Sequence, residues 1–229
     1  MDVQRYLKTF FSSPRGAIAS FRLLEERACA YDEIFVRQDY YWLWSRMRKG
    51  TVVLDLGANI GDTLIYFAMH SNVAKVLGYE AQGITYNAAA RYVSMLPQPL
   101  RDKITLYNAA VACAHGITKY SNTHVGDRGF RVGAGHKTVK TTTLDSAIHA
   151  ANEYSTSIAI KCDIEGYEYK VFKEAAKLSK VYMTMIEYHD GPQDLPRILR
   201  RNGFNVRTEK RGITSAGGEQ GFIYAVQHK

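Results

Sequence analysis

The chain has 229 residues, 46% of them hydrophobic and 23% charged, which allows one large domain with a substantial core and excludes a disordered protein. Its net charge of +8 favours acidic partners such as nucleic acid, phosphorylated sugars or anionic lipid headgroups. Cys29, Cys113 and Cys162 are widely spaced, which excludes a disulfide framework and a paired-cysteine zinc site. Because neither a membrane-length apolar stretch nor a signal-peptide pattern is present, we expect a cytoplasmic protein.

Residues 1–50 predict a helical extension that caps the rest of the chain. Ile18, Phe21, Leu24 and Ala28 recur at helical spacing, and residues 40–44 form the aromatic block YYWLW. Burial of a cap against a domain is the commoner reason for such a block. The alternative is that these aromatic side chains line a substrate pocket.

Residues 51–229 predict one α/β domain, because strands and helices alternate as in a parallel sheet covered on both faces. No helix separates the last two strands, so the last strand should pair antiparallel. The seven predicted strands are residues 52–56, 75–80, 104–111, 158–163, 181–189, 204–209 and 221–227. The predicted helices are residues 62–70, 84–96, 144–154, 167–178 and 193–202.

The segment between Ala112 and Thr143 departs from this alternation. It consists of short polar and β-branched pieces, which predict a hairpin excursion from the sheet. Loops of this kind near the carboxyl ends of strands often control access to a site. The glycines of the segment include Gly126, Gly129, Gly133 and Gly135.

A nucleoside-binding turn is predicted at residues 52–63, VVLDLGANIGDT. The apolar run fits a strand buried on both faces, and Gly57 and Gly61 allow the next turn to pass close to a ligand. Glu80 ends the following strand, where a carboxylate can accept hydrogen bonds from both ribose hydroxyls. The alternative is a tight strand-to-helix turn that binds no ligand. The position of Glu80 disfavours it.

Two side chains indicate which nucleoside binds. Asn59 occupies the place where a dinucleotide fingerprint has the glycine that lets the backbone approach a pyrophosphate. Asp55 adds negative charge, which a pyrophosphate would disfavour. A ligand with a cationic amino group and no phosphate fits better, so we predict S-adenosylmethionine as the cofactor.

A second group of ionisable residues lies in and after the predicted strand 158–163. The carboxyl ends of parallel strands face the ligand crevice, so Asp163 should point toward the reactive end of the cofactor. Alternation places Lys161 on the same side, and the next strand delivers Glu187 and His189 to this edge. We therefore expect four ionisable side chains in one small volume.

The group permits several interpretations. Methyl transfer to a hydroxyl releases a proton, which Asp163, Glu165 or His189 could accept. The same three side chains could instead hold a divalent cation that acidifies the hydroxyl. We prefer the site without a metal, because no compact ligand motif is present. In a purely structural interpretation, Asp163 and Glu165 cap a helix that starts at Gly166, and His189 is a satisfied rim histidine.

From about Thr51 onward the chain resembles the FkbM family of S-adenosylmethionine-dependent methyltransferases. The most specific segment is IKCDIEGYE at residues 160–168. The other matching pieces are VVLDLGANIGDT, Glu80, NAAV at 108–111, TTTLD at 141–145 and IEYH at 186–189. The resemblance implies a Rossmann-like class I methyltransferase fold and O-methylation of a sugar, a glycolipid or a small natural product.

The resemblance also implies roles for individual positions. Glu80 would bind the ribose, and Asp163 would lie near the methyl-bearing sulfur. The adenine edge would lie at Asn108, Ala109 and Ala110. The amino-acid end of the cofactor would lie against Asp55, Gly57, Ala58, Asn59, Gly61, Asp62 and Thr63. Where the family commonly has a proline after the ribose acid, this chain has Ala81, Gln82 and Gly83.

Other functions compete with this one. The basic charge permits an RNA 2′-hydroxyl as acceptor. Methylation of base nitrogens is disfavoured, because residues 162–165 stand where enzymes of that kind carry N/D-P-P-Y/F/W. The turn disfavours an NAD-dependent dehydrogenase. The intact set of Asp55, Gly57, Glu80 and Asp163 disfavours a non-catalytic binding subunit.

Overall fold

The computed structural model describes residues 32–121, 135–214 and 217–227. The strands of these residues are β1 (Thr51–Leu56), β2 (Val73–Glu80), β3 (Ile104–Ala112), β4 (Gly116–Tyr120), β5 (Lys137–Thr143), β6 (Ile158–Cys162), β7 (Val181–Tyr188), β8 (Phe204–Ile213) and β9 (Glu219–Gln227). They form one sheet in the order β4-β5-β3-β2-β1-β6-β7-β9-β8.

The helices lie before, between and after these strands. They are α1 (Tyr41–Trp44), α2 (Asp62–Ala68), α3 (Gly83–Ser94), α4 (Gln98–Arg101), α5 (Leu144–Asn152), α6 (Glu168–Glu174) and α7 (Leu195–Arg201). A π-helical turn at Asp32–Val36 and a 3-10 turn at Leu178–Lys180 complete the helical pieces of the described chain. Within those ranges, no helix combines the length and the apolarity needed to cross a bilayer.

The centre of the sheet is parallel, as predicted. β1 pairs with β2 and β6, β2 also pairs with β3, and β6 also pairs with β7, all in parallel. Every residue of β1 is buried, because the strand has a neighbour on each side and helices on both faces. The predicted Rossmann-like α/β fold is confirmed.

Two apolar clusters cover opposite faces of the sheet. Val53 of β1 belongs to the cluster that includes α1, α2 and α3, whereas Val52 and Leu54 belong to the cluster that includes α5, α6 and α7. Successive side chains of a strand point to opposite faces, so each cluster fills one side. The turns at the carboxyl ends of the strands are thereby held between two packed layers.

The sheet has two strands more than the seven predicted. The predicted hairpin excursion supplies both, since β4 pairs antiparallel with β5, and β5 pairs in parallel with β3. Only Val139 of β5 is buried, so the strand lacks the apolar run from which the other strands were predicted. Gly135 is described, whereas Gly126, Gly129 and Gly133 lie outside the described residues.

The antiparallel end of the sheet is confirmed. β9 pairs antiparallel with β7 on one side and with β8 on the other. The last strand in sequence is therefore an interior strand, and β8 forms the edge.

Residues 32–50 pack against one face of the sheet. Tyr40 and Leu43 are buried, and the ring of Tyr40 lies 6.4 Å from the ring of Phe67 and 6.1 Å from that of Phe222, measured between centroids. For Tyr40 and Leu43 this confirms packing as the reason for the aromatic block. The predicted helical residues Ile18, Phe21, Leu24 and Ala28 lie outside the described residues.

Candidate active site

The β1–α2 turn is fixed by main-chain contacts with two neighbouring strands. The N–H groups of Gly57 and Ala58 each donate to the Tyr79 carbonyl oxygen at 3.0 Å, and Asp163 N–H donates to the Leu56 carbonyl oxygen at 2.9 Å. Gly57 has φ +80°, and a Cβ there would lie 1.7 Å from the Asp163 carbonyl oxygen. Only glycine fits this position, because any side chain would collide with fixed backbone.

Asp55 lies beneath this turn. Its fully buried carboxylate accepts a hydrogen bond from the Thr63 hydroxyl at 2.5 Å and pairs with Lys161 Nζ at 3.1 Å. Lys161 also donates to the Gly57 carbonyl oxygen at 2.6 Å. Burial raises the pKa of Asp55, and the charge of Lys161 opposes that rise. The pair therefore supports the turn from inside the domain.

Glu80 lies at the edge of a cleft and is oriented by two backbone donors. Its Oε2 accepts from Asn59 N–H at 2.9 Å, and its Oε1 accepts from Gln82 N–H at 2.8 Å. Burial raises the pKa of Glu80 to about 7, although both hydrogen bonds act against the rise. Each carboxylate oxygen keeps a further lone pair, so Glu80 can still accept hydrogen bonds from ribose hydroxyls.

The cleft spans about 630 Å³ of space between atoms, a volume that includes its opening to solvent. Among the predicted site residues, its wall includes Gly57, Asn59, Glu80, Ala109, Ala110, Asp163 and Glu165. Sequence reasoning did not single out Tyr79, Gln82, Thr85, Val111, Ile164 and Tyr167, which also line it. Tyr79, Val111 and Ile164 adjoin a predicted site residue in the sequence, and this adjacency is the signal that could have found them.

The other predicted residues lie outside the cleft wall. Gly61, at φ +92°, precedes α2, and Asn108 Nδ2 donates to the Glu80 and Ala81 carbonyl oxygens at 2.9 and 3.2 Å. Their direct contact with a cofactor stays a prediction, and their visible role is to shape the loops around the cleft. The remaining members of this set are Asp55, Ala58, Asp62, Thr63 and His189.

The four ionisable side chains predicted to share one volume are brought together. Nε2 of His189 lies 3.6 Å from Asp163 Oδ1 and 3.6 Å from Glu165 Oε2. Lys161 Nζ lies 4.0 Å from the other Asp163 oxygen, Oδ2. Asp163 thus lies on the cleft wall between a lysine and a histidine.

Glu187 is the fourth member and lies deeper. Gln220 Nε2 donates to its Oε1 at 2.6 Å, and the Tyr40 hydroxyl donates to its Oε2 at 3.4 Å. Burial raises the pKa of Glu187 to about 7, with Asp163 adding to the rise. Tyr40, which precedes α1, and Gln220 of β9 therefore hold Glu187 from the interior side of the group.

Glu168 is a functional candidate that sequence reasoning missed. Its Oε1 accepts from Ile164 N–H at 3.2 Å and Gly166 N–H at 3.1 Å, and lies 3.2 Å from His189 Nδ1. The helix begins at Glu168 without a side-chain cap. The interpretation of Asp163 and Glu165 as caps of a helix starting at Gly166 is therefore wrong.

Glu165 and His189 have raised pKa values, for different reasons. Burial, with Asp163 adding to it, raises the pKa of Glu165 to about 8. For His189, burial acts downward, but the neighbouring Glu168, Asp163 and Glu165 outweigh it and raise the pKa to about 9. His189 is thus surrounded by three carboxylates beside the cleft.

The sequence matches the family model described as methyltransferase FkbM domain over residues 55–206. The chain belongs to the FkbM methyltransferase family. This assignment makes it a methyltransferase with S-adenosylmethionine as cofactor. No curated protein matches the sequence.

Solved structures with a similar fold include several bacterial methyltransferases. The putative tRNA (m1A22) methyltransferase Sp1610 of Streptococcus pneumoniae, in complex with S-adenosyl-L-methionine, is 15% identical with a TM-score of 0.52, over 84% of this chain and 74% of that chain. Methyltransferase FkbM of Methylobacillus flagellatus KT is 18% identical with a TM-score of 0.53, over 77% of this chain and 43% of that chain. The methyltransferase domain of bacterial CtHen1-C is 10% identical with a TM-score of 0.51, over 83% and 96%. At these identities the likeness shows the shared fold.

The cleft of this FkbM-family chain fits the cofactor. Asn59 Oδ1 and Gln82 Nε2 are buried on its wall without a hydrogen-bond partner among the described residues. Buried polar atoms are normally paired, so an acceptor and a donor on one wall indicate a polar ligand. Together with the carboxylate of Glu80, they offer the mixed donors and acceptors that a nucleoside with an amino-acid tail requires.

Proposed function

We propose that this methyltransferase transfers the methyl group of S-adenosylmethionine to a hydroxyl of a sugar, a glycolipid or a small natural product. The observation that supports this function is the position of groups able to accept a proton. Asp163 and Glu165 line the cleft, and both lie 3.6 Å from Nε2 of His189. O-methylation requires removal of a hydroxyl proton, and groups at such a rim can remove it.

The cleft residues would hold the cofactor by its two polar ends. Gly57 and Asn59 would contact the amino-acid end, Glu80 the ribose hydroxyls, and Ala109 and Ala110 the adenine. When bound, S-adenosylmethionine supplies an electrophilic methyl group on a positively charged sulfur. We place Asp163 near that sulfur, because Asp163 lines the cleft and also contacts Lys161 and His189 of the ionisable group.

The residues of the chain would then orient the acceptor and take its proton. During methyl transfer, the hydroxyl proton would pass to Asp163, Glu165 or His189, in the unprotonated form of that side chain. Alignment of the hydroxyl with the methyl carbon contributes most of the rate. Glu168 would keep the imidazole of His189 in place through Nδ1.

A screen of acceptors with methyl-labelled cofactor tests this proposal. Monosaccharides, glycolipids and hydroxylated natural products would be incubated with the full chain, with and without a chelator, and label transfer measured. For an acceptor that works, His189→Ala should lower turnover about 100-fold or more while cofactor affinity changes little. His149→Ala is the matched control, because His149 is exposed on α5. Unchanged turnover in His189→Ala would restrict His189 to a structural role.

An RNA 2′-hydroxyl is the second candidate acceptor, and the net charge of +8 supports it. Binding that neutralises phosphates weakens steeply with salt. RNA affinity measured between about 50 and 200 mM salt, together with label transfer to RNA, separates the two acceptors. Transfer to RNA but to no small hydroxylated compound would replace the first candidate.

A further inference from the structure

We propose that the active site holds one divalent cation between Nε2 of His189 and the carboxylate oxygens of Asp163 and Glu165. Its catalytic part, acidification of the acceptor hydroxyl, rests on the proposed O-methyltransferase function, whereas the binding of the cation stands independently. The sequence alone favours a site without metal, and the positions of the side chains change that preference.

Both carboxylates approach the imidazole nitrogen at a distance close to that between two ligands of one ion. Nε2 of His189 lies 3.6 Å from Asp163 Oδ1 and 3.6 Å from Glu165 Oε2, which is too long for a hydrogen bond between them. Two ligands that are each about 2.1 Å from one ion lie about 3.0–3.5 Å apart in tetrahedral or octahedral sites. A small inward movement of either carboxylate would complete the coordination.

The imidazole is already oriented as a metal-binding histidine would be. Its Nδ1 lies 3.2 Å from Glu168 Oε1, and that oxygen is fixed by the N–H groups of Ile164 and Gly166. Histidine ligands usually donate their other ring N–H to a carboxylate, which selects the tautomer with a free lone pair on the ligating nitrogen. Glu168 would therefore act as a positioning residue that turns Nε2 toward the ion.

Asp163 presents one unpaired oxygen to the same point. Its Oδ2 faces Lys161, but Oδ1 is shielded from solvent and accepts no hydrogen bond from the described residues. A buried carboxylate oxygen without a partner is uncommon and calls for a ligand. Ligand atoms of Asp163, Glu168 and His189 lie within 4.8 Å of one another, so the positioning residue lies close to two of the proposed ligands.

The charge of the group favours a cation as well. The carboxylates of Asp55, Asp163, Glu165, Glu168 and Glu187 lie close to the basic groups of Lys161 and His189. Carboxylates therefore outnumber their basic partners in a buried place, where unbalanced charge is costly. A divalent ion would offset part of this excess of carboxylates.

The mixed ligand set indicates the kind of ion. An imidazole nitrogen with two carboxylates suits Mn²⁺ or Zn²⁺ better than Mg²⁺ or Ca²⁺, which prefer oxygen ligands alone. Three protein ligands leave coordination positions open. An acceptor hydroxyl that occupies one of them would lose its proton more readily.

Electron paramagnetic resonance with Mn²⁺ as probe tests the binding of the ion. The full chain, purified with chelator and then freed of it, would be titrated with Mn²⁺ in the absence of cofactor, and free Mn²⁺ measured by its signal. We expect one saturable site per chain at micromolar concentrations. Saturation only in the millimolar range would overturn the proposal.

Matched variants assign the site to these residues. His189→Gln, Asp163→Asn and Glu165→Gln should each weaken Mn²⁺ binding at least about tenfold. His149→Gln, which changes an exposed histidine, should leave it unchanged. Mn²⁺ affinity equal to that of the unchanged protein in all three site variants would overturn the assignment, provided that circular dichroism shows the variants to be folded. Should His189→Gln fail to fold, Glu165→Gln decides, because its side chain lies on the turn between β6 and α6.

Calorimetry with S-adenosylmethionine, run without metal, separates this proposal from the proposed function. Mn²⁺ binding without cofactor binding would leave the ion site in place and overturn methyl transfer. Cofactor binding and label transfer that persist in chelator, without saturable Mn²⁺, would overturn the ion site alone.

Discussion

Asp55 and Lys161 form an ion pair that has almost no contact with solvent, with side-chain exposures of 0% and 2%. Removal of one partner leaves the other charge buried and uncompensated. We therefore expect Asp55→Ala to lower the free energy of unfolding by about 3–5 kcal/mol. Denaturant titration followed by circular dichroism measures this change.

Two further variants make that measurement specific. The double variant Asp55→Ala with Lys161→Ala should lose less than the sum of the two single losses, because neither charge is then left alone. Asp194→Ala removes an exposed carboxylate paired with Arg197 and should cause no resolvable loss. A loss below about 1 kcal/mol in Asp55→Ala would mean that the pair contributes little.

Glu80 makes cofactor binding depend on pH. Its pKa is raised from 4.5 to about 7, and only the ionised carboxylate accepts hydrogen bonds from both ribose hydroxyls. Cofactor affinity should therefore fall about tenfold between pH 8 and pH 6, as Glu80 takes up a proton. In the cofactor-free protein, the stability that Glu80 contributes is fully present below pH 4.5 and is lost as the pH rises through about 7.

The Glu80→Gln variant isolates this effect in calorimetric titrations. The variant should bind S-adenosylmethionine about 10–100-fold more weakly, because a hydrogen bond to a charged group is lost. It should also lack the part of the pH dependence that belongs to Glu80, leaving the titration of the cofactor's own amino group. Parallel pH profiles for the two proteins would contradict a role for Glu80.

At the scale of elements, the two turns that form the site differ in how tightly they are packed. A Cβ at Gly57 would lie 1.7 Å from the Asp163 carbonyl oxygen, whereas a Cβ at Gly166 would meet nothing within 4 Å. Both glycines have positive φ, +80° and +90°. Gly166→Ala should therefore cost only about 1–2 kcal/mol of backbone strain.

Gly57→Ala should cost at least about twice as much and also abolish cofactor binding, because the β1–α2 turn and the β6–α6 turn must move apart. Thermal unfolding and calorimetry on both variants compare the two positions. Equal losses of stability in the two variants would show that the packing at Gly57 is not limiting.

The sequence predicted the buried elements better than the exposed ones. β1, β6 and β7 lie between two packed layers, so their sequences are mostly apolar. β5 reads KTVKTTT with a single buried residue, and its pairing with β3 depends on contacts distant in sequence. Pairing of this kind cannot be seen in local composition.

The site could be predicted in its residues and only partly in its contacts. Strand alternation correctly placed Lys161, Asp163, Glu187 and His189 in one volume. The ion pair of Lys161 with Asp55 was missed. Whether Asp55 faces the cleft or the interior depends on how α2 packs over it, which the local sequence does not show. The role of Glu168 depends on the left-handed turn at Glu165 and Gly166, which local sequence does not determine.

At the scale of the whole molecule, residues 32–50 belong to the core of the domain. Leu43 is completely buried in the cluster that covers one face of the sheet. Leu43→Ala should lower the free energy of unfolding by about 2–5 kcal/mol and preserve a single transition. Tyr41, in the same helix, is 50% exposed, so Tyr41→Ala should change the free energy of unfolding by about 0.5 kcal/mol or less. Two separate transitions in Leu43→Ala would show that the segment folds independently.

The interior position of β9 has a consequence for synthesis of the chain on the ribosome. Until residues 219–227 have emerged, the flank of β7 that they will cover has no partner, and Glu187 lacks the amide of Gln220. The nascent chain must therefore expose an unpaired strand edge, which is prone to aggregation, until β9 has emerged. Chaperone capture should concentrate in that interval, and the environment of Glu187 becomes complete only when the β8–β9 hairpin pairs with β7.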